Sequence, residues 1–151
     1  MQEQEHRVGE YRISTDKNLL EIETIHRYLS GQSYWAQGRT LPTVVRAIEN
    51  SLCFGAYGPD ERLAGFARVV TDYATFAWLC DVFVLEGHRG RGLGKALVEA
   101  VIAHPGLQGL KRILLATRDA HELYRRFGGF VELGSPQNWM ERSTLPAAGS
   151  P

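Results

Sequence analysis

Three glycines stand at alternate positions in this chain, Gly90, Gly92 and Gly94, and the cations Arg89, Arg91 and Lys95 are set among them. Before them runs a short apolar stretch, Val82, Phe83, Val84 and Leu85, with the β-branched and aromatic content of a buried strand. After them Leu93, Ala96, Leu97, Ala100 and Val101 keep the spacing of an amphipathic helix that begins inside the glycine run. Strand, glycine loop and helix start in series form a device for anions. Side chains are absent where a ligand must approach, several N–H groups point one way, and the helix dipole favours negative charge there. Each glycine lowers the stability of a helix start by ~1 kcal/mol relative to alanine, so a loop that keeps three of them has a use for the space. The three cations favour a phosphate over the plain alternative, a tight turn with solvated arginines.

Counting positions narrows the ligand. A Walker A loop needs a glycine five positions before Gly94, where Arg89 stands, and a Ser or Thr after the lysine, where Ala96 stands. A dinucleotide fingerprint started at Gly90 meets Lys95 at its sixth position, and one started at Gly92 meets Leu97. What remains, Arg89-Gly-Arg-Gly92-Leu-Gly94-Lys95, resembles the acyl-CoA pyrophosphate loop of the GNAT superfamily of N-acyltransferases, with its Arg/Gln-x-x-Gly-x-Gly/Ala pattern between a strand and a helix. Leu114-Leu-Ala-Thr-Arg-Asp-Ala-His-Glu-Leu-Tyr124-Arg-Arg-Phe-Gly-Gly-Phe130 is similar to the same family's closing half. There it has a strand, an Asn/Asp, an alanine, a tyrosine and a Gly-Phe close. The likeness spans about residues 11–140. It is strongest to a bacterial subgroup carrying Tyr-Trp-Ala, Asp-Tyr-Ala-Thr-Phe and Ala-Thr-x-Asp-Ala-His segments. One departure is the doubled Gly128-Gly129, which leaves the register of the final strand open.

The resemblance implies an N-acetyltransferase that moves an acetyl group from acetyl-CoA, a co-substrate, to a primary amine by direct attack in a ternary complex. It implies that the strands Cys80–Leu85 and Ile113–Thr117 part at one end, with pantetheine pairing to the exposed backbone near Phe83 and Val84. A backbone N–H near Val84 would stabilise the oxyanion. The main-chain N–H groups of Arg89, Gly90, Arg91, Gly92, Leu93, Gly94 and Lys95 would hold the pyrophosphate. Tyr124 aligns with the family's general acid, which protonates the departing thiolate; read from spacing alone, it falls on a helical face with Ala120, Leu123 and Phe127 and could be core. Asp119 would neighbour the pantetheine amides, or simply cap a helix.

Asp81 is a carboxylate inside an apolar strand, which suggests a base for the acceptor amine with a pKa raised by burial. A charge facing solvent or paired to an arginine explains it equally well. Glu86 and His88 are weaker bases. Tyr34, Trp35 and Tyr73 stand in loops where such a fold forms its acceptor pocket, either stacking on an amine or anchoring the loops. The rival to an enzyme is a non-catalytic acyl-CoA-binding or sensor module that keeps the glycine loop.

The elements that must position these residues follow from the remaining pattern. The chain has 151 residues, enough for one domain with a sizeable core, and 44% hydrophobic and 23% charged residues. Its net charge is zero, which gives no bulk argument for nucleic acid or membrane partners. A small-molecule or peptide amine is the expected partner, and a homodimer stays open. Cys53 and Cys80 lie in apolar runs without metal-type spacing, and the polar N-terminus lacks a signal core. The expected setting is therefore cytoplasmic, with free thiols and no metal.

Residues 1–10 read as a flexible N-terminus, 11–142 as one acetyltransferase domain and 143–151 as a disordered tail. Within the domain the pattern predicts a strand at 11–14, a helix capped by Asp16 running to Gly31, and a second helix from Pro42 to Asn50. A hairpin turning at Gly58-Pro59-Asp60, a long strand over 75–85, the glycine loop and its helix follow. A strand over 112–117, a helix capped by Asp119 and a last strand over 130–133 complete the order. The fold class is α/β, an α+β arrangement in which helices flank a central, mostly antiparallel sheet splayed at the acyl-CoA site.

Overall fold

Alternating apolar residues on the strands bury both faces of one sheet. In the computed structural model, which describes residues 2–144, six strands lie side by side in chain order. They are β1 (Glu5–Val8), β2 (Tyr11–Ser14), β3 (Leu52–Tyr57), β4 (Leu63–Thr71), β5 (Phe76–Val84) and β6 (Arg112–Leu114). Every neighbouring pair is antiparallel except β5 and β6, which are parallel. Helices α1 (Ile22–Gly31) and α2 (Leu41–Glu49) connect β2 to β3, α3 (Leu93–Ala103) connects β5 to β6, and α4 (His121–Gly128) follows β6. This is the mixed α/β sheet flanked by helices that the family resemblance implies.

The central strand β3 is buried along its whole length because its alternate residues serve two cores. Leu52, Phe54 and Ala56 join α3 and Tyr124 on one face; Cys53 and Tyr57 join α1, α2, Phe66 and Phe83 on the other. α2 starts where the sequence places a helix start, with Pro42 in its first turn and the Thr40 hydroxyl accepting from the Thr43 N–H at 3.4 Å.

Four local expectations change. Residues 5–8, expected to be without structure, form β1 and pair with β2. Asp16 caps only a single 3₁₀ turn, Lys17–Leu19, because Leu20 is extended and α1 begins afresh at Ile22. β6 stops at Leu114, short of residue 117, where its ladder with β5 ends. Residues 130–133 form no strand: Gly129 turns the chain in left-handed backbone at φ +69°, Phe130 folds back edge-on to Tyr124, and Val131 is 84% exposed. The doubled glycine has two separate uses. Gly129 supplies that positive φ, while a Cβ on Gly128 would stand 2.7 Å from Phe130 and 3.0 Å from Val98. Of the expected tail, residues 145–151 lie outside the described residues.

No helix among the described residues is long and apolar enough to cross a membrane. Among them no group of three or more His, Cys, Asp or Glu is placed to hold a metal ion.

Candidate active site

A bulge opens the site. β4 and β5 pair Phe66 with Phe83 and Arg68 with Cys80, so Asp81 and Val82 together face Ala67. Asp81 takes φ +51° to make the extra residue fit. β5 keeps β6 as a neighbour only from Phe76 to Trp78. From there to Val84 the side of β5 turned away from β4 has no strand against it, and a cleft runs between Val82, Phe83 and Val84 on one wall and Asp119, Ala120, Leu123 and Tyr124 on the other. Backbone groups along that wall, apart from the Val84 carbonyl that Arg89 engages, are available to an extended ligand, as a missing strand would use them.

At the head of the cleft the glycine loop turns into α3. Gly90 and Gly92 both lie in left-handed backbone, at φ +79° and +81°, and a Cβ on either would enter open space. Gly92 is the N-cap and offers no side-chain cap. The Ala96 N–H bonds the Gly92 carbonyl at 3.0 Å, and among the described residues no acceptor meets the six N–H groups from Gly90 to Lys95. Such a row of free donors at a helix start fits a pyrophosphate. The row begins one residue later than the sequence suggests, because the Arg89 N–H is spent on the Glu86 carbonyl. The Arg89 guanidinium is also engaged, donating to the Val84 carbonyl at 3.0 Å and to the Tyr28 hydroxyl at 3.1 Å. Tyr28 in turn stacks on Phe83, with centroids 4.1 Å apart, so Arg89 pins the loop to β5 and α1. Arg91 donates to the Tyr11 hydroxyl at 3.3 Å, and Lys95 lies over the Phe127 ring.

Tyr124 stands where the cleft meets a second cavity of about 330 Å³, and it lines both. α4 brings it there from its first turn, its ring buried and 8% exposed overall. Its hydroxyl bonds no group of the protein among the described residues and is not sealed from the cavities. Burial, with smaller contributions from Tyr34 and Asp119, pushes its pKa up to about 12, so the phenol keeps its proton at neutral pH.

The second cavity holds Trp35 and Asp81 as well as Tyr124. Trp35 donates its indole N–H to Asp81 Oδ1 at 2.7 Å; Arg39 and Arg68 both donate to Oδ2 at 2.8 Å. The direction of the Asp81 pKa differs from the sequence expectation. Burial alone would raise it, but Arg68 and Arg39 together outweigh burial and lower it. The carboxylate is fully ionised and its oxygens are already occupied. Cys80 lines the same cavity as a thiol, since burial lifts its pKa to about 12.

Tyr34 ties the two walls together. Its hydroxyl accepts from the Arg118 N–H at 2.8 Å, and the Arg118 guanidinium lies 3.9 Å from the centre of its ring. Tyr73 does not join this cavity; it lies exposed on the turn between β4 and β5, where Asp72 accepts from the N–H groups of Ala74, Thr75 and Phe76. Asp119 caps no helix, for α4 begins after Ala120 without a side-chain cap. Asp119 stands instead at the mouth of the cleft, beside Thr117, whose hydroxyl accepts the Ala120 N–H.

Sequence reading missed Arg39, Arg68 and Tyr28. Arg68 carried the same signal as Asp81, a lone charge in an apolar strand of the adjoining hairpin arm. Arg39 sits in a polar loop that gave no sign.

A sheet that parts beside a row of free N–H groups, with a phenol in the gap, defines a transferase for a long, phosphate-bearing donor. The profile of the Acetyltransferase (GNAT) family matches residues 22–130, and the chain belongs to that family of acetyl-CoA-dependent acetyltransferases. Over 96% of its length it is 53% identical to a protein of Xanthomonas campestris pv. campestris with a crystal structure, described as belonging to the same family. The TM-score is 0.88, with all of that chain covered. A proposed acetyltransferase of Gibberella zeae is 33% identical over 138 residues, 77% of this chain and 76% of its own. The fold is shared with Rv2747 of Mycobacterium tuberculosis, whose structure contains CoA. There the identity is 18%, the TM-score 0.64, and 91% of this chain and 77% of that one are covered.

Proposed function

We propose that this acetyltransferase acetylates a small amine bound beside Asp81, with Tyr124 as the proton donor. The reading rests chiefly on the Tyr124 hydroxyl, which has no partner among the described residues and opens where the donor cleft meets the second cavity. The core tyrosine Tyr57 also lacks a partner, but its hydroxyl is sealed in the core, whereas that of Tyr124 opens onto both cavities.

Acetyl-CoA supplies the acetyl group as a thioester that a neutral amine attacks directly. The N–H groups from Gly90 to Lys95 hold the pyrophosphate, and the free edge of Val82–Val84 orients the pantetheine arm. Tyr124 holds a proton at its hydroxyl and gives it to the departing sulfur, an interaction stronger in the transition state than in the ground state. Asp81 is not the base in this reading. A carboxylate with a lowered pKa, bonded by three donors, has little affinity for a proton; its work is to fix Trp35, Arg39 and Arg68 around the acceptor. The ammonium proton of the acceptor leaves to water before attack, so the rate rises with pH toward the acceptor's own pKa.

Tyr124→Phe tests the assignment. Loss of a general acid is worth ~10²–10⁴-fold in rate, whereas no hydrogen bond within the protein is lost. We expect kcat to fall by that range, with near-normal acetyl-CoA affinity and an unchanged Tm. Normal turnover in the folded variant would make Tyr124 a wall of the cleft and nothing more.

A further inference from the structure

The acceptor cavity carries a charge that its own residues do not balance. Two guanidiniums, Arg39 and Arg68, share one carboxylate, Asp81, whose side chain is only 2% exposed. Arg68 spends a second donor on the Ser51 hydroxyl at 3.0 Å. Arg39 spends only Nη1, leaving Nε and Nη2 without an acceptor among the described residues, and its side chain is 22% exposed and lines the cavity. One positive charge, held in a partly desolvated site with unused donors, calls for an anion. At the mouth Arg118 is 3.7 Å from Asp119, a loose pair between exposed side chains. A cationic acceptor, by contrast, finds no free carboxylate inside. The remaining wall is apolar, with Trp78, Leu79 and Val82.

Building on the function proposed above, we infer that the acceptor is a small amine carrying a carboxylate, of the amino-acid class with an apolar side chain. The carboxylate lies on Arg39 and the amine points toward Tyr124. The single surplus charge matches a monoanion better than a phosphate dianion. The reaction balances without further reactants: the amine nitrogen gains the acetyl group and loses a proton, and CoA leaves as its thiol.

The test measures CoA release and acceptor binding in parallel, the second by thermal shift in the presence of CoA. Leucine is compared with leucinamide and isopentylamine, phenylalanine with phenethylamine, and spermidine and O-phosphoethanolamine are added, all at equal concentration of free base. Leucinamide matches leucine in shape, and isopentylamine is the control for reactivity, because its more basic amine is the better nucleophile and at equal free base it would react at least as fast without recognition of the carboxylate. We expect the carboxylates to exceed their matched neutral amines by ~10–100-fold in kcat/KM, the range of a hydrogen bond to a charged group. Arg39→Gln should erase that preference through KM with acetyl-CoA affinity unchanged, and Arg39→Lys should restore part of it. Arg68 and Trp35 still hold Asp81 in both variants.

Equal or better turnover of neutral amines, spermidine or O-phosphoethanolamine overturns the carboxylate assignment and leaves the acetyltransferase reading standing. Carboxylates that bind selectively without releasing CoA sustain the assignment and sink the turnover mechanism. If neither binding nor turnover favours a carboxylate, the inference is wrong.

Discussion

Asp81 occupies left-handed backbone, which costs a non-glycine residue about 1–2 kcal/mol. The arrangement persists because three donors converge on its carboxylate and fix the bulge that opens the sheet. Asp81→Asn keeps the shape and tolerates the backbone, but leaves two guanidiniums facing a neutral amide. Removing one partner of a buried ion pair costs about 3–5 kcal/mol, and that is the loss of stability expected near neutral pH. The sign of its pH dependence separates two roles. A carboxylate with a folded-state pKa below its unfolded value of about 3.9 stabilises fully above that value and loses its contribution as pH falls through the folded-state pKa. The gap between wild type and Asp81→Asn in denaturant midpoint should therefore stay constant from pH 9 to 5 and narrow only below about 4. A gap that instead changes between pH 6 and 8 would mean a raised pKa and return Asp81 to the role of base. The anomaly at this residue was visible in the sequence; its meaning was not. A lone carboxylate in a strand looks the same whether solvent, a base's task or an arginine awaits it, and its arginine partners, Arg68 and Arg39, are 13 and 42 positions away.

The glycine loop was legible for the opposite reason, since everything it needs is local. Three glycines, a strand before and a helix after are fixed by neighbours in sequence, and left-handed backbone at Gly90 and Gly92 follows. Elements whose limits depend on distant partners were harder. Residues 5–8, three of them exposed, became β1 because β2 offered an open edge, and 130–133 failed as a strand because β6 ends at Leu114. The loop yields a paired prediction. Gly92→Val puts a branched side chain into the proposed pyrophosphate site, where φ is +81°, so acetyl-CoA binding should vanish in calorimetry while the protein stays folded. Gly94→Ala should bind normally: its φ is not positive, its Cβ meets only Leu123 at 3.7 Å, and the family pattern admits alanine there. Should the two variants bind alike, the row of N–H groups is not the phosphate site.

Across the whole molecule the parting of β5 from β6 divides the sheet into unequal parts. Five antiparallel strands lie on one side; β6 and α4 lie on the other, and three pairs of residues join them in the ladder. Side-chain contacts make up the rest of the join, through α3 packed against Tyr124 and through Tyr34 reaching to Arg118. A donor that pairs with Val82–Val84 while lying against Asp119 to Tyr124 would occupy the place of the missing strand and couple the two parts. Because only the folded chain offers that cleft, acetyl-CoA at 100 times its Kd should add about 2.7 kcal/mol and raise Tm by roughly 5–10 °C. The gain should not be uniform. Hydrogen exchange should slow most at residues 90–95, where the N–H groups are free, and at 115–121, beyond the end of β6. Tyr124→Phe should show the same protection and the same rise in Tm, since the role proposed for its hydroxyl is to give a proton and the ring stays in place, whereas Gly92→Val should show neither. Protection spread evenly over β1 to β4, or absent from 115–121, would mean that the donor binds without bridging the gap.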